Sequence, residues 1–93
     1  MTWIRLKPFT QFNVMMMPNQ PGVYALNNAQ GNIVYVGGTD DLKRRLTEHL
    51  PENETGNLCI RRSATQFQYL AIANWQPEEQ RLIGQYRPSC NRT

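Results

Sequence analysis

Hydrophobic residues with a preference for β-structure are concentrated in two short segments, residues 23–26 and 33–36, which are separated by six residues typical of turns. This pattern predicts an antiparallel hairpin. A loop of two or four residues would place Tyr24 opposite Tyr35, so that both side chains lie on one face of the sheet. A three-residue loop ending at Gly31 would shift the register by one residue and place them on opposite faces, because side chains alternate along a strand. The loop sequence leaves both registers open.

A helical pattern follows the hairpin and extends to about residue 50. Its apolar stripe consists of Leu42, Leu46 and Leu50. Gly37 and Gly38 precede the helix and are expected to form a tight backbone turn. After this turn, Thr39 or Asp40 is suited to cap the first turn of the helix.

Three basic side chains on this helix have different orientations. At 100° per residue, Arg45 and His49 lie beside the leucine stripe, one turn apart, whereas Arg44 points away from it. We therefore expect Arg45 and His49 to face the body of the protein. Taken singly, each also has a simpler explanation. A histidine near a helix C-terminus interacts favourably with the helix dipole, and the apolar stem of an arginine packs beside leucines while its charge stays in water.

The second half of the chain predicts a polar loop at residues 51–57, a strand at 67–73 and a helix at 77–86 that begins with a proline. The apolar face of this last helix contains Leu82, Ile83 and Tyr86. Glu79 projects from the middle of that face. A carboxylate in such a position is unfavourable unless a cation, a metal ion or hydrogen bonds compensate it, so Glu79 is a candidate functional residue.

The first twenty residues have a weaker pattern. Trp3, Ile4 and Leu6 indicate a short strand. The three consecutive methionines at residues 15–17 are expected to fill gaps in a small core, with a soft surface for a partner as the alternative.

The 93-residue chain is long enough for a single domain, residues 1–93. Its 40% hydrophobic and 18% charged residues are typical of a folded protein. No apolar run approaches the roughly 18 residues that span a membrane, and the N-terminus lacks an export signal, so we expect a cytoplasmic protein without membrane contact. The net charge of +3 permits a polyanionic partner without requiring one.

The chain has two cysteines, Cys59 and Cys90. A single widely spaced pair in a chain without an export signal is expected to remain as two free thiols. Two cysteines also do not make a zinc site. We therefore expect neither a cross-link nor a structural metal.

Four short blocks of this sequence resemble the GIY-YIG nuclease superfamily. The blocks are Gly22-Val23-Tyr24, Tyr35-Val36-Gly37, the Leu-x-x-Arg-Leu-x-x-His pattern of residues 42–49, and Glu79-x-x-Leu82-Ile83 followed by Pro88 and Asn91. Each block alone is a weak signal, but four in order at the family's spacing are unlikely to match by chance. The resemblance covers residues 21–91 and leaves residues 1–20 as an N-terminal extension.

The resemblance implies an α+β fold with a small three-stranded antiparallel sheet flanked by helices. It also implies a DNA endonuclease or nickase that hydrolyses phosphodiester bonds with one divalent ion, Mg²⁺ or Mn²⁺. By this resemblance Glu79 would bind the metal, as a hard carboxylate on a rigid helix can do. Arg45 would hold the scissile phosphate, because its forked donors suit phosphate oxygens.

The remaining roles also follow from the resemblance. Tyr24 would accept a proton from the attacking water, with Tyr35 and His49 as hydrogen-bonding or proton-transfer partners. Asn91 would support the site through hydrogen bonds. The residues expected to bind substrate are Gly37, Gly38, Lys43, Arg44, Arg61 and Arg62.

A non-catalytic nucleic-acid-binding or assembly module with the same fold is the alternative function, and an interaction domain that uses the methionine-rich segment is a weaker one. The polar set favours the enzyme, because a degenerate relative is expected to have lost some of the family's site residues and this chain keeps them. The chain ends close to the last block and leaves no room for a second domain. We therefore expect a protein partner or a homodimer to supply specificity for DNA.

Overall fold

The computed structural model describes Trp3 and residues 6–91. It has an α+β fold in which one antiparallel sheet is flanked by helices. The elements in chain order are β1 (Lys7–Pro8), α1 (Gln11–Met15), β2 (Gly22–Asn27), β3 (Ile33–Thr39), α2 (Leu42–His49), α3 (Leu58–Ser63), β4 (Gln66–Ala71) and α4 (Trp75–Tyr86), followed by a 3₁₀ turn at Ser89–Asn91.

The sheet has four strands in the order β1-β4-β2-β3, not the three that the family resemblance implied. The additional strand is β1, which pairs with the start of β4 through Lys7 opposite Phe67 and Pro8 opposite Gln66. A strand of two residues has too little alternation to be recognised from sequence. The expected strand around residues 3–6 is not seen at Trp3 or Leu6, and Ile4 lies outside the described residues.

Strand β2 lies in the middle of the sheet and is buried along its whole length. Its side chains alternate between two apolar clusters, as the period of a strand requires. Tyr24 and Leu26 pack with residues of α1, α2 and α3 on one face. Val23 and Ala25 pack with residues of α4 on the other. Helices therefore cover both faces of the sheet.

The hairpin has neither of the two expected registers along its whole length, and Tyr24 lies opposite Gly37 instead of Tyr35. Its loop is the three-residue version, with a Gly31 φ of 87° and the Asn28 amide bonded to the Asn32 carbonyl. A bulge then inserts Val34, so that Asn27 pairs with Ile33 while Leu26 pairs with Tyr35. This extra residue reverses the parity of the loop and returns Tyr35 to the face that carries Tyr24.

Helix α2 is capped by Asp41, whose side chain accepts a hydrogen bond from the Arg44 amide at 3.1 Å. The cap therefore lies one residue beyond Asp40, the later of the two expected positions. Thr39 instead bonds to the backbone of Asp41 and shapes the approach to the helix. The last helix, α4, also begins two residues earlier than expected, at Trp75.

Cys59 and Cys90 form a disulfide, so the expectation of free thiols was wrong. The 3₁₀ turn at Ser89–Asn91 packs against α3 and brings the two Cα atoms within 5.3 Å. The cysteines are 31 residues apart in the sequence, and their proximity depends on the complete fold.

The three methionines have separate environments. Met17 is buried in the core, as expected, whereas Met15 and Met16 are exposed together with Phe12. Only one of the three therefore fills the core. Within the described part of the chain, no helix is long and apolar enough to cross a membrane.

Candidate active site

Two tyrosines from neighbouring strands form the centre of the candidate site. Tyr24 on β2 and Tyr35 on β3 lie on the same face of the sheet, with ring centroids 6.2 Å apart. Tyr24 is 0% exposed, whereas Tyr35 is only partly buried. Of the two, Tyr35 therefore has access to solvent.

His49, at the end of α2, lies against both tyrosines. Its ring centroid is 5.5 Å from that of Tyr24 and 5.2 Å from that of Tyr35. The Nε2 atom is 2.8 Å from the Tyr24 hydroxyl, and Nδ1 is 2.6 Å from Oε1 of Glu54. His49 is only 3% exposed, so both hydrogen bonds lie away from bulk water.

Glu54 belongs to the loop between α2 and α3. Its Oε2 atom accepts hydrogen bonds from the backbone amides of Gly56 and Asn57, at 3.1 and 3.2 Å. Both oxygens of the carboxylate are therefore engaged, one with the histidine and one with the loop.

The pKa values of these groups follow from their surroundings. Burial lowers the pKa of His49 despite the hydrogen bond to Glu54, so the ring is neutral at neutral pH. Partial burial acts to raise the pKa of Glu54, but the hydrogen bonds from His49, Gly56 and Asn57 outweigh it, and the pKa is lowered. The pair is thus a neutral imidazole beside an ionised carboxylate.

Burial also raises the pKa of Tyr24 and Tyr35. Two nearby charges act on both hydroxyls in opposite directions. The Arg45 guanidinium lowers their pKa and the Glu79 carboxylate raises it. Arg45 and Glu79, from helices on opposite faces of the sheet, are therefore both close enough to influence the tyrosine pair.

Arg45 lies half-buried on α2 and forms an ion pair with Glu48 at 2.7 Å. As predicted, Arg45 faces the tyrosines. Arg44 points outward, also as predicted, and pairs with Asp40. The pair with Glu48 is exposed enough to be weak, so the guanidinium can exchange this partner for a ligand.

Glu79 is half-buried on α4. Its carboxylate has no hydrogen bond or ion pair among the described residues, in contrast to its neighbour Glu78, which binds Arg81 at 2.6 Å. Across Trp3 and residues 6–91, no three His, Cys, Asp or Glu side chains cluster in a way that could hold a metal ion. Any metal at Glu79 would therefore have at most two such ligands from this part of the chain.

Asn91 bridges the backbone of Val36 on the edge strand β3. Its Oδ1 accepts from the Val36 amide at 2.8 Å, and its Nδ2 donates to the Val36 carbonyl at 2.9 Å. The side chain thus acts like a short piece of an additional strand. It fixes the segment that follows Tyr35.

Gly37 and Gly38 lie inside strand β3 and do not form the tight turn that the sequence suggested. Each is small because an aromatic ring lies across it. A Cβ atom at Gly37 would collide with the Tyr24 hydroxyl, and one at Gly38 would collide with the Trp75 ring. Both glycines are therefore required for packing around the site.

The other residues expected to bind substrate are less closely associated with the tyrosine pair. Lys43 is half-buried, and Arg61 and Arg62 are exposed on α3. In the described structure none of them bonds to Tyr24 or His49.

Sequence reasoning missed two residues of this site, Glu54 and Trp75. His49 is in the last turn of its helix, so a carboxylate in the following loop was within reach. Glu52 and Glu54 both meet that condition, and the sequence does not distinguish them. Trp75 precedes the predicted start of its helix, and nothing in its spacing indicates contact with Gly38.

Known proteins resemble this chain in sequence and in fold. The sequence model of the GIY-YIG catalytic domain family matches residues 20–92 of this chain. The chain belongs to the GIY-YIG family. The match confirms the family resemblance and extends it by one residue at each end of residues 21–91.

Curated relatives of this GIY-YIG chain include the UvrABC system protein C of Acidobacterium capsulatum, 31% identical over 87 residues, and that of Dehalococcoides mccartyi, 33% identical over 87 residues. Each alignment covers 87% of this chain and 14% of the relative. The chain therefore spans about a seventh of the length of these relatives.

A solved structure, the GIY-YIG N-terminal endonuclease domain of UvrC from Thermotoga maritima bound to magnesium as its catalytic divalent cation, matches with a TM-score of 0.73 and 28% identity. The match covers 87% of this chain and 93% of that domain. A point mutant of the same domain, with an asparagine replaced by alanine and bound to its catalytic divalent cation, matches with a TM-score of 0.70.

Proposed function

We propose that this GIY-YIG domain is a nuclease that hydrolyses DNA phosphodiester bonds with a single Mg²⁺ or Mn²⁺ ion. The proposal rests on one observation: the rings of Tyr24, Tyr35 and His49 pack together, with centroids 5.2–6.2 Å apart, and the charges of Arg45 and Glu79 lie near this group. A cation-binding carboxylate, a phosphate-binding guanidinium and proton-transfer groups in one place are the requirements of phosphodiester hydrolysis.

Glu79 is the residue that would hold the metal. Its carboxylate is half-buried, lacks an ion-pair partner and belongs to no cluster of three possible ligands among the described residues, which fits an ion whose other ligands are mainly waters and phosphate oxygens. The bound ion would neutralise charge that develops on the phosphate during attack. The magnesium ion in the domain from Thermotoga maritima supports this assignment.

Arg45 would bind the scissile phosphate. Its guanidinium remains charged at any relevant pH and can donate two parallel hydrogen bonds to phosphate oxygens. The present partner, Glu48, is at the surface, so phosphate can replace it at small cost.

The complete burial of Tyr24 supports a different division of roles between the tyrosines from the one implied by the sequence. Tyr35 is partly exposed and is the residue that would contact the attacking water. Tyr24 has no exposed surface and instead connects this hydroxyl pair to His49. In this arrangement the proton leaves the water through Tyr35 and moves inward.

DNA is the substrate in this proposal, and selectivity comes from a partner protein or a second copy of the chain. Phe12, Met15 and Met16 form an exposed apolar patch at α1 and are the residues that such a partner would cover. Sedimentation of the purified chain alone, with Met16→Lys as a matched variant, reports whether a second copy is the partner.

The test is cleavage of supercoiled plasmid and of branched or flapped DNA with Mg²⁺ or Mn²⁺, against a chelator control. Glu79→Gln should lower the rate by at least about a hundredfold, because loss of the metal removes several kcal/mol of transition-state stabilisation. Glu52→Gln removes the same charge from an exposed loop position and should leave the rate unchanged.

DNA binding and thermal melting of Glu79→Gln complete the experiment. Both should be preserved, because Arg45 pairs with Glu48 and does not depend on Glu79 for a counter-charge. Binding without cleavage by the wild-type protein would favour the non-catalytic module. A Glu79→Gln variant that cuts at the wild-type rate would remove Glu79 from the metal site.

A further inference from the structure

The loop carboxylate Glu54 is the ionised group that the proposed chemistry has not yet used. It is the terminal member of a buried row of hydrogen bonds that runs from Tyr24 through His49. Glu54 contacts both the loop backbone and the histidine, so it can act on either.

The direction of these hydrogen bonds follows from the chemistry of the carboxylate. An ionised carboxylate only accepts hydrogen bonds, so Nδ1 of His49 must carry the proton in the 2.6 Å contact with Oε1. In a neutral ring Nε2 is then unprotonated and can only accept. The Tyr24 hydroxyl therefore donates its proton to Nε2 across 2.8 Å.

The direction of the Tyr24–His49 hydrogen bond also determines whether the Tyr24 oxygen can accept a proton from the side of Tyr35. Because its proton points to His49, the free lone pairs of its oxygen face away from the histidine, and the neighbouring aromatic ring is that of Tyr35, whose centroid lies 6.2 Å from that of Tyr24. If the histidine were the other tautomer, Nε2–H would donate to Tyr24, and the tyrosine proton would have to point outward. Proton acceptance by the pair would then be blocked.

We infer that Glu54 is a positioning residue for the proposed hydrolysis, and that it fixes the His49 tautomer so that the buried hydrogen bonds accept a proton from the side of Tyr35. The inference rests on the proposed function. As one proton passes from the attacking water to Tyr35, the Tyr35 proton moves to Tyr24 and the Tyr24 proton moves to Nε2. The imidazolium formed in this way lies beside the Glu54 carboxylate, and the hydroxide left by the water attacks phosphorus.

Glu54→Gln is a sharp test because the loop dictates how the new side-chain amide must sit. The backbone amides of Gly56 and Asn57 both donate to Oε2, so the single oxygen of the substituted side chain is needed there. Its NH₂ group then faces Nδ1 and donates to it. His49 is the single histidine of the chain, and the substitution should reverse its tautomer.

The tautomer can be read directly by long-range ¹H–¹⁵N correlation on ¹⁵N-labelled protein, in which one imidazole is present. We expect protonated Nδ1 in the wild type and protonated Nε2 in Glu54→Gln. Protonated Nε2 in the wild type, or no change in the variant, would overturn the inference. Neither result depends on nuclease activity, and the wild-type spectrum needs no variant.

Cleavage kinetics provide the second measurement. Glu54→Gln should lower kcat by about ten- to a hundredfold with KM unchanged, as loss of an orienting group does in comparable sites. Glu52→Gln, a matched change in the same loop, should leave kcat unaltered. In a His49→Gln background, adding Glu54→Gln should have no further effect, because Glu54 acts only through the histidine.

The possible failures are separable. If the wild type cuts DNA and Glu54→Gln cuts at the same rate, the inference is wrong and the nuclease stands. If the wild type does not cut any DNA tested while the tautomer reverses as expected, the orientation by Glu54 stands as a fact of the fold and its role in hydrolysis is overturned together with the proposed function.

Discussion

Replacement of Asn91 by alanine removes both hydrogen bonds that hold the backbone of Val36. These backbone groups point outward from the edge strand, so no neighbouring strand can replace the lost partner. Each bond contributes about 0.5–1.5 kcal/mol net, which gives a loss of about 2 kcal/mol for the pair. In a domain of this size, that loss corresponds to a decrease of roughly 8–16 °C in Tm.

Thermal melting of the oxidised protein measures this effect, with Ser89→Ala on the same turn as the control. Ser89 is exposed and its side chain makes no hydrogen bond among the described residues, so its replacement should leave Tm unchanged. Asn91→Asp provides a second comparison. It keeps an acceptor for the Val36 amide but places a second oxygen beside the Val36 carbonyl, and it should be at least as destabilising as alanine near neutral pH.

Loss of the two hydrogen bonds should also loosen the active site, because Val36 lies between Tyr35 and Gly37 on β3. Hydrogen exchange of the Val36 amide should accelerate in Asn91→Ala, and cleavage should slow at temperatures where the variant remains folded. A variant with the Tm and the Val36 exchange rate of the wild type would refute the reasoning, since the two hydrogen bonds would then contribute nothing.

Three other predictions concern the tyrosine pair, pH and salt. Tyr24→Phe leaves buried Nε2 of His49 without a donor and should cost about 1–3 kcal/mol in stability, whereas Tyr35→Phe at the partly exposed neighbour should cost less; equal melting temperatures would contradict this. The pKa values of His49 and Glu54 are both lower in the folded protein than in the unfolded chain, so the unfolded chain binds protons first as the pH falls. Tm should therefore decrease below pH 6.5 and again below pH 4.5. The decrease below pH 6.5 should be absent in His49→Gln. DNA affinity should depend only moderately on salt, with a slope no steeper than about −4.5 in log K against log salt for five contacts at most, and a slope near −10 would contradict it.

The sequence was sufficient for those parts of the fold that repeat within a few residues. The leucine spacing of α2 placed Arg45 and His49 correctly, because a helix converts spacing directly into orientation. The shared face of Tyr24 and Tyr35 was one of two open outcomes. It is determined by the bulge at Val34, which depends on how the strand packs and has no local signature.

Features that join distant segments could not be predicted in this way. The pairing of β1 with β4, the disulfide and the contact of Trp75 with Gly38 all bring together residues far apart in the chain. Glu54 is closer to its partner, but its selection over Glu52 depends on the turn of the loop around it. A single sequence reveals the repeating patterns of helices and strands, but contacts of these kinds leave no repeating pattern in it.

The Cys59–Cys90 bond turns residues 59–90 into a covalent ring that contains β4, α4 and Glu79. A single cut of the main chain by a protease within this ring leaves one molecule, not two fragments. Asn91 follows the ring directly and would stay tethered beside Val36 after such a cut. A nicked chain should therefore migrate as intact protein until it is reduced, and it should separate into two pieces only when the thiols are released.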